Sequence, residues 1–235
     1  VDSMDAVKDA KAQQNNLKLL SEFKDLDVRD TIQYGKIYDT ISTQIEALDI
    51  DMIVMGSHGS SGLREDILGT NAERVVRLAE CPVLTVKKDE GDFQVKDILF
   101  ASNFYGEMKE SFNKIKDFVG LFDAQLHLLK VITSGHFEKT SYSKKLMKDF
   151  AKEAGLKTYT MNTINSDTTE NGILEFCDEK NIDVITIETH GRKGINHLMN
   201  INITEDLVKH AKTPVLSIKV EEVPFEYGVI FPENR

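Results

Sequence analysis

Gly56-Ser57-His58-Gly59-Ser60-Ser61-Gly62-Leu63-Arg64-Glu65-Asp66-Ile67-Leu68-Gly69-Thr70-Asn71 stands between two segments of opposite character. Before it runs the apolar Met52-Ile53-Val54-Met55; after it Ala72, Val75, Val76 and Ala79 recur at helical spacing. The order is strand, glycine-rich loop, helix. In a parallel α/β sheet the crevice beyond a strand's carboxyl end is where ligands bind. Glycines let the backbone approach a ligand closely and turn its N–H groups toward an anion, and a helix N-terminus adds positive partial charge. Together these features predict a phosphate cradle.

The spacing Gly56, Gly59, Gly69, Thr70 resembles the nucleotide-binding signature of the ATP-binding universal stress proteins, and Ala79-Glu80-Cys81-Pro82-Val83-Leu84-Thr85-Val86 resembles that family's last strand. The resemblance implies that Gly56, Gly59, Gly69 and Thr70 hold the ribose and phosphates of ATP, accompanied by Mg2+. Met55, Ser57, His58 and Asn71 would complete the nucleotide-binding set. The Walker pattern, in which glycines precede a Lys-Ser or Lys-Thr pair, does not occur, which argues against a P-loop NTPase.

The composition sets outer bounds. At 235 residues and 40 % hydrophobic content the chain can build one large or two small cores. A net charge of −10 argues against nucleic acid and anionic membrane as partners. A backbone cradle is local, so an acidic chain can still bind ATP. Cys81 and Cys177 have neither metal-ligand nor CxxC spacing and read as small core residues. No signal peptide or long apolar run is present in the sequence, so a reducing, cytoplasmic setting is expected.

In chain order, residues 4–24 read as a polar helix with Ala6, Ala10, Leu17, Leu20 and Phe23 as its apolar stripe. Val28 to Tyr34 alternates as a strand does, and Ile37, Ile41, Ile45 and Leu48 mark one helix face. Asp51 to Met55 reads as a short buried strand, followed by the glycine loop, a helix to Ala79 and a strand from Pro82 to Val86. The charged stretch Lys87 to Phe93 reads as a linker.

A repeat then emerges. Adding 132 takes Asp51 to Asp183, His58 to His190, Gly59 to Gly191, Glu73 to Glu205 and Pro82 to Pro214, without a gap from Gly35 onward. Such a period denotes a duplicated domain. The second copy is complete, with strands expected at Ile98–Asn103, Gln125–Ile132, Lys157–Asn162, Asp183–Ile187 and Val215–Ile218. Helices are expected around Phe112–Phe122, Ser141–Ala154 and Ile173–Cys177, and after the second loop. The first copy has no counterpart of the opening strand, helix and strand, which leads to the expectation of a fragment or of elements supplied otherwise. The expected fold class is therefore α/β: two tandem open, mainly parallel five-stranded sheets flanked by helices, the first lacking its N-terminal strand-helix-strand. Residues 1–88 form the first domain, 95–220 the second and 221–235 a C-terminal tail with Pro224, Pro232 and several apolar residues. By the resemblance, the last strands of the two copies pair into an internal pseudo-dimer, and two chains can form a homodimer.

The repeat also serves as an internal control. Gly56 becomes Glu188, Gly69 becomes Ile201 and Thr70 becomes Asn202, while Asn103 stands where the family has an acidic residue. A carboxylate and a branched side chain oppose phosphate, so the second copy is expected to have lost ATP binding. Thr70 with Glu73 has the form of a capping box, repeated as Asn202 with Glu205. Capping explains position 70 but not the glycines at 56 and 69. His58 and His190 lack a second ligand at metal-binding spacing, and no metal site is expected. Ser57, Ser60 and Ser61 are either phosphate donors or solvated hydroxyls. The lysines at 144, 145, 148 and 152 read as a solvated helix face. No nucleophile or acid–base pair marks a committed enzyme. The function expected is ligand-linked: ATP orders the loop and alters the surface presented to partners. A stress-response scaffold without nucleotide, or a slow ATPase, are the alternatives.

Overall fold

A computed structural model describes residues 3–57, 69–87, 93–105, 109–190 and 201–220. The chain divides into a unit of residues 1–44 and a unit of residues 45–235. The first contains α1 (Ser3–Lys18), a 3-10 turn (Ser21–Phe23) and the start of α2 (Ile37–Leu48). In the second, β1 (Ile53–Gly56), α3 (Thr70–Leu78) and β2 (Val83–Val86) belong to the first repeat. The second repeat supplies β3 (Asp97–Ala101), α4 (Lys109–Phe122), β4 (Gln125–Ile132), α5 (Thr140–Glu153), β5 (Thr160–Asn165), α6 (Thr169–Lys180), β6 (Val184–His190), α7 (Ile201–His210) and β7 (Val215–Val220).

All seven strands form one sheet in the order β1-β2-β7-β6-β3-β4-β5. Every pairing is parallel except β2 with β7. The two expected sheets are thus joined edge to edge, five strands from the second repeat and two from the first. Parallel strands buried on both faces need continuous apolar runs, and Ile98-Leu99-Phe100-Ala101 meets that need with at most 2 % exposure. Phe100, Phe112, Ile115, Leu128, Met147 and Phe150 build the core between the sheet, α4 and α5.

The antiparallel join is symmetric at the level of single residues. Leu84 faces Leu216, and these are equivalent positions of the repeat; Val83 faces Ser217 and Thr85 faces Val215. The hydroxyl of Thr85 donates to the Val215 carbonyl (3.1 Å), and its repeat equivalent Ser217 donates to the Val83 carbonyl (3.2 Å). An approximate two-fold axis therefore passes between the two leucines. The Lys219–Glu80 ion pair ties the same join from outside.

Several expectations need correction. Val28–Tyr34 forms no strand. Its repeat equivalent is β5, which pairs with β4; among the described residues no strand lies beside Val28–Tyr34, and the Thr31 carbonyl accepts instead from the Gln14 side chain (3.0 Å). The 4–24 helix ends at Lys18 and is followed by the 3-10 turn. Its stripe is not buried: Leu17 and Leu20 stay largely exposed, as do Ile37 and Leu48 at the ends of α2. β1 is not the buried strand expected, since Val54 is 59 % exposed. Its equivalent β6 has neighbours on both sides, whereas among the described residues β1 pairs with β2 alone. β5 begins at Thr160, three residues after the expected Lys157. The tail 221–235 and most of the 87–93 linker lie outside the described residues.

α6 approaches β4 most closely at Gly172, where a Cβ would stand 2.6 Å from Val131 Cγ1 and 3.1 Å from Ser166 Cβ. A valine on a strand cannot swing aside. Gly172→Ala is expected to cost about 1–3 kcal/mol through overpacking, despite the roughly 1 kcal/mol that alanine gains in helix propensity. Urea denaturation measures it; a stabilised variant would refute the close contact.

Candidate functional site

The carboxyl end of β1 and the start of α3 are brought together by backbone. Ser57 N–H donates to Val86 O (3.0 Å), continuing the β1–β2 ladder, and Gly69 N–H donates to Ser57 O (3.0 Å). Met55, Gly56, Ser57, Gly69, Thr70 and Asn71 therefore gather at one edge of the sheet. His58 and Gly59 lie outside the described residues, as do Ser60 and Ser61. Gly56, Thr70 and Asn71 face solvent, whereas Ser57 is 1 % exposed, so its contribution is the closing hydrogen bond through its carbonyl.

The capping box is not formed. The N-cap is Gly69, with extended backbone and no side-chain cap, and Thr70 is the first residue of the helix. The first intrahelical bond runs from Glu73 N–H to Gly69 O (3.0 Å). The N–H groups of Thr70, Asn71 and Ala72 thus have no partner within the helix. The helix dipole adds positive partial charge at this end. A first turn whose N-cap is a glycine, held beside the end of β1 by the Ser57–Gly69 bond, offers backbone donors of the kind that bind anions. In the second repeat α7 begins at Ile201, which places Asn202 inside the helix rather than at its cap.

A second feature escaped the sequence reading. A cavity of about 230 Å3 opens at the carboxyl ends of β3 and β4, floored by Ala101, Leu129, Val131 and Ile173. Its wall is a closed polar network. Lys130, 5 % exposed, donates to Asn103 O (2.8 Å), pairs with Glu138 (2.9 Å) and lies 4.2 Å from the Tyr105 ring centroid. Glu138 also accepts from the hydroxyls of Ser143 and Tyr105. Burial works to raise the Glu138 carboxyl, but the bonds from Ser143, Tyr105 and Lys130 outweigh it and hold it below its ordinary value. The same carboxylate pushes the Tyr105 phenol up to about 12. A lysine inside the otherwise apolar run Leu128–Ile132 was the one signal available in sequence.

His127 links three strands, with Nε2 2.8 Å from Asp97 Oδ1 and Nδ1 2.8 Å from Thr160 Oγ1. This resembles a hydroxyl–imidazole–carboxylate relay. It sits toward the amino ends of the strands, away from the cavity. The Thr160 oxygen already accepts from the Asn162 amide at 2.7 Å, and Phe176 packs against the imidazole. The relay is a cross-strand tie. Burial pushes both cysteine thiols up, that of Cys177 to about 12, which leaves them inert at neutral pH. Among the described residues, no three His, Cys, Asp or Glu side chains gather to hold a metal. No helix among them is long and apolar enough to cross a membrane.

The fold defines a tandem α/β protein with a mostly parallel sheet flanked by helices. The model of the Universal stress protein family matches twice, over residues 1–87 and 95–219, so the chain belongs to that family. The chain is 36 % identical over 80 residues to the universal stress protein MJ0577 of Methanocaldococcus jannaschii, which is 34 % of this chain and 49 % of that protein. It is 25 % identical over 177 residues to the universal stress protein Slr1230 of Synechocystis, covering 73 % of this chain and 58 % of that one. The chain thus spans about half the length of these curated relatives. In fold it is similar to a universal stress protein from Archaeoglobus fulgidus, with a TM-score of 0.68 and 18 % identity over 93 % of this chain and 82 % of that one.

Proposed function

We propose that this universal stress protein binds an adenine nucleotide, ATP with Mg2+, through its first repeat and acts as a ligand-linked interaction protein. The observation that carries this reading is the first turn of α3, whose Thr70, Asn71 and Ala72 N–H groups have no partner within the helix and whose N-cap Gly69 is tied to the end of β1 by its bond to Ser57 O. When bound, the nucleotide supplies negative charge to that turn. The chain's own part is to present backbone donors, keep side chains out of the way and hold β1 against α3 through the Ser57–Gly69 bond. Binding to the native state alone stabilises it and shifts whatever equilibrium involves α3. A cytoplasmic setting and association of two chains accompany this reading.

Calorimetric titration of the full-length protein with MgATP tests it, alongside Gly56→Glu, which copies Glu188 of the second repeat. A carboxylate set against a phosphate costs about 1–4 kcal/mol, so binding is expected to weaken roughly tenfold or more. Gly56 is solvent-facing, and the variant is expected to keep its fold. Absence of binding in the parent protein overturns the reading and favours the scaffold alternative.

The cavity in the second repeat favours a second reading, in which that repeat takes a small ligand of its own. With Lys130 and Glu138 neutralising each other, the cavity suits an uncharged molecule with an apolar face.

A further inference from the structure

α3 and α7 hold equivalent places in the two repeats and pack against each other. Glu73 and Glu205 are equivalent positions, and Arg77 of α3 lies between them. Its Nη1 is 3.7 Å from Glu73 Oε1 and 3.8 Å from Glu205 Oε1, both beyond hydrogen-bond range. Glu205 Oε1 and Arg77 Nε are shielded from solvent with no hydrogen-bond partner among the described residues. At the position equivalent to Arg77 the second repeat has Lys209, whose carbonyl accepts from Lys87. The cluster therefore holds two carboxylates around one guanidinium, with Asp206 adjoining. Burial first, then the charge of Glu73, pushes the Glu205 carboxyl above its ordinary range, with Asp206 adding and Arg77 opposing. The other charged groups on α7 and the elements packed against it are Arg74 on α3, the Glu170–His210 pair, Glu175, Asp178, Glu179 and Lys180 on α6, the Lys219–Glu80 pair from β7, Glu188 and His190 on β6, and Lys209 on α7 itself.

We propose that this joint is a proton-responsive clasp between the two repeats: with Glu205 protonated α3 and α7 close on each other, and with Glu205 ionised they loosen. The clasp does not depend on nucleotide binding. It shares α3 with the site at Thr70, so it gives the two repeats a common moving part. A carboxyl whose value is raised on folding adds stability that is present below its unfolded value and is lost as pH rises through the folded one.

Thermal unfolding of the full chain and of Glu205→Gln between pH 4.5 and 8 tests the clasp. Gln keeps the shape and cannot ionise. The variant is expected to melt about 2–4 °C above the parent at pH 8, the shift that roughly one kcal/mol produces in a chain of this size, with the gap closing as pH falls. Arg77→Met, which removes the opposing cation, is expected to steepen the loss of stability with rising pH. Hydrogen exchange of the parent, corrected for intrinsic rates, should show α3 and α7 better protected at pH 5 than at pH 8. A gap that does not change with pH, a Glu205→Gln protein melting below the parent at pH 8, or pH-independent protection of the two helices overturns the proposal.

Discussion

Replacing Phe100 with Ala is expected to destabilise the protein by about 3–5 kcal/mol, the range for deleting a buried aromatic ring. Phe100 is fully buried at the centre of the sheet. Its ring lies 5.8 Å from Phe104, 5.1 Å from Phe112 and 5.6 Å from Phe150. Phe112 and Phe150 meet each other at 4.7 Å in an edge-on arrangement. Deleting the shared ring strips contacts from all three neighbours, and they stand on different elements: the β3–α4 connection, α4 and α5. Local collapse cannot refill the space without moving two helices. Phe100→Leu, which keeps most of the volume, is expected to cost far less. Urea denaturation reads both, and a loss below about 1 kcal/mol for the alanine variant would show that the cluster repacks freely.

Leu216→Ala is expected to cost about 2–5 kcal/mol, with Leu84→Ala somewhat below it. Leu216 is 0 % exposed and Leu84 8 %, and both belong to the same core cluster. Because they face each other across the two-fold join, their cavities merge. The double variant is therefore expected to depart from additivity by at least about 0.5 kcal/mol. A pair at symmetric but independent sites would add. The comparison thus tests the join itself: strict additivity would mean that β2 and β7 are not packed as the register requires.

Much of the fold was legible because local chemistry and tertiary demand agree. Gln125–Ile132 has the apolar density a central parallel strand needs, and it forms β4 with those limits. The 132-residue repeat carried further, since equivalent residues meet across β2 and β7. Gly56 and Gly69 lie at the strand end and helix start expected. Thr70 was misread as a cap because the pattern of a hydroxyl followed by Glu73 fits two adjacent helix starts equally well. The choice fell to Gly69, whose N–H is held by Ser57 O, a contact made across a loop.

By itself, the sequence determined the strand and helix content of the second repeat, the duplication, and the glycines at the end of β1 and the start of α3. Those features depend on side-chain periodicity and backbone freedom within a few residues. Only the tertiary structure decided that Val28–Tyr34 forms no strand, that β1 stays half exposed, and that Lys130 closes a polar wall with Glu138 and Tyr105. It likewise decided that Arg77 stands between two repeat-equivalent glutamates. Each of these depends on which segment becomes a neighbour. A strand is stable only beside a second strand, and a buried charge only beside its counter-charge, so the outcome belongs to the assembled sheet rather than to any stretch of it.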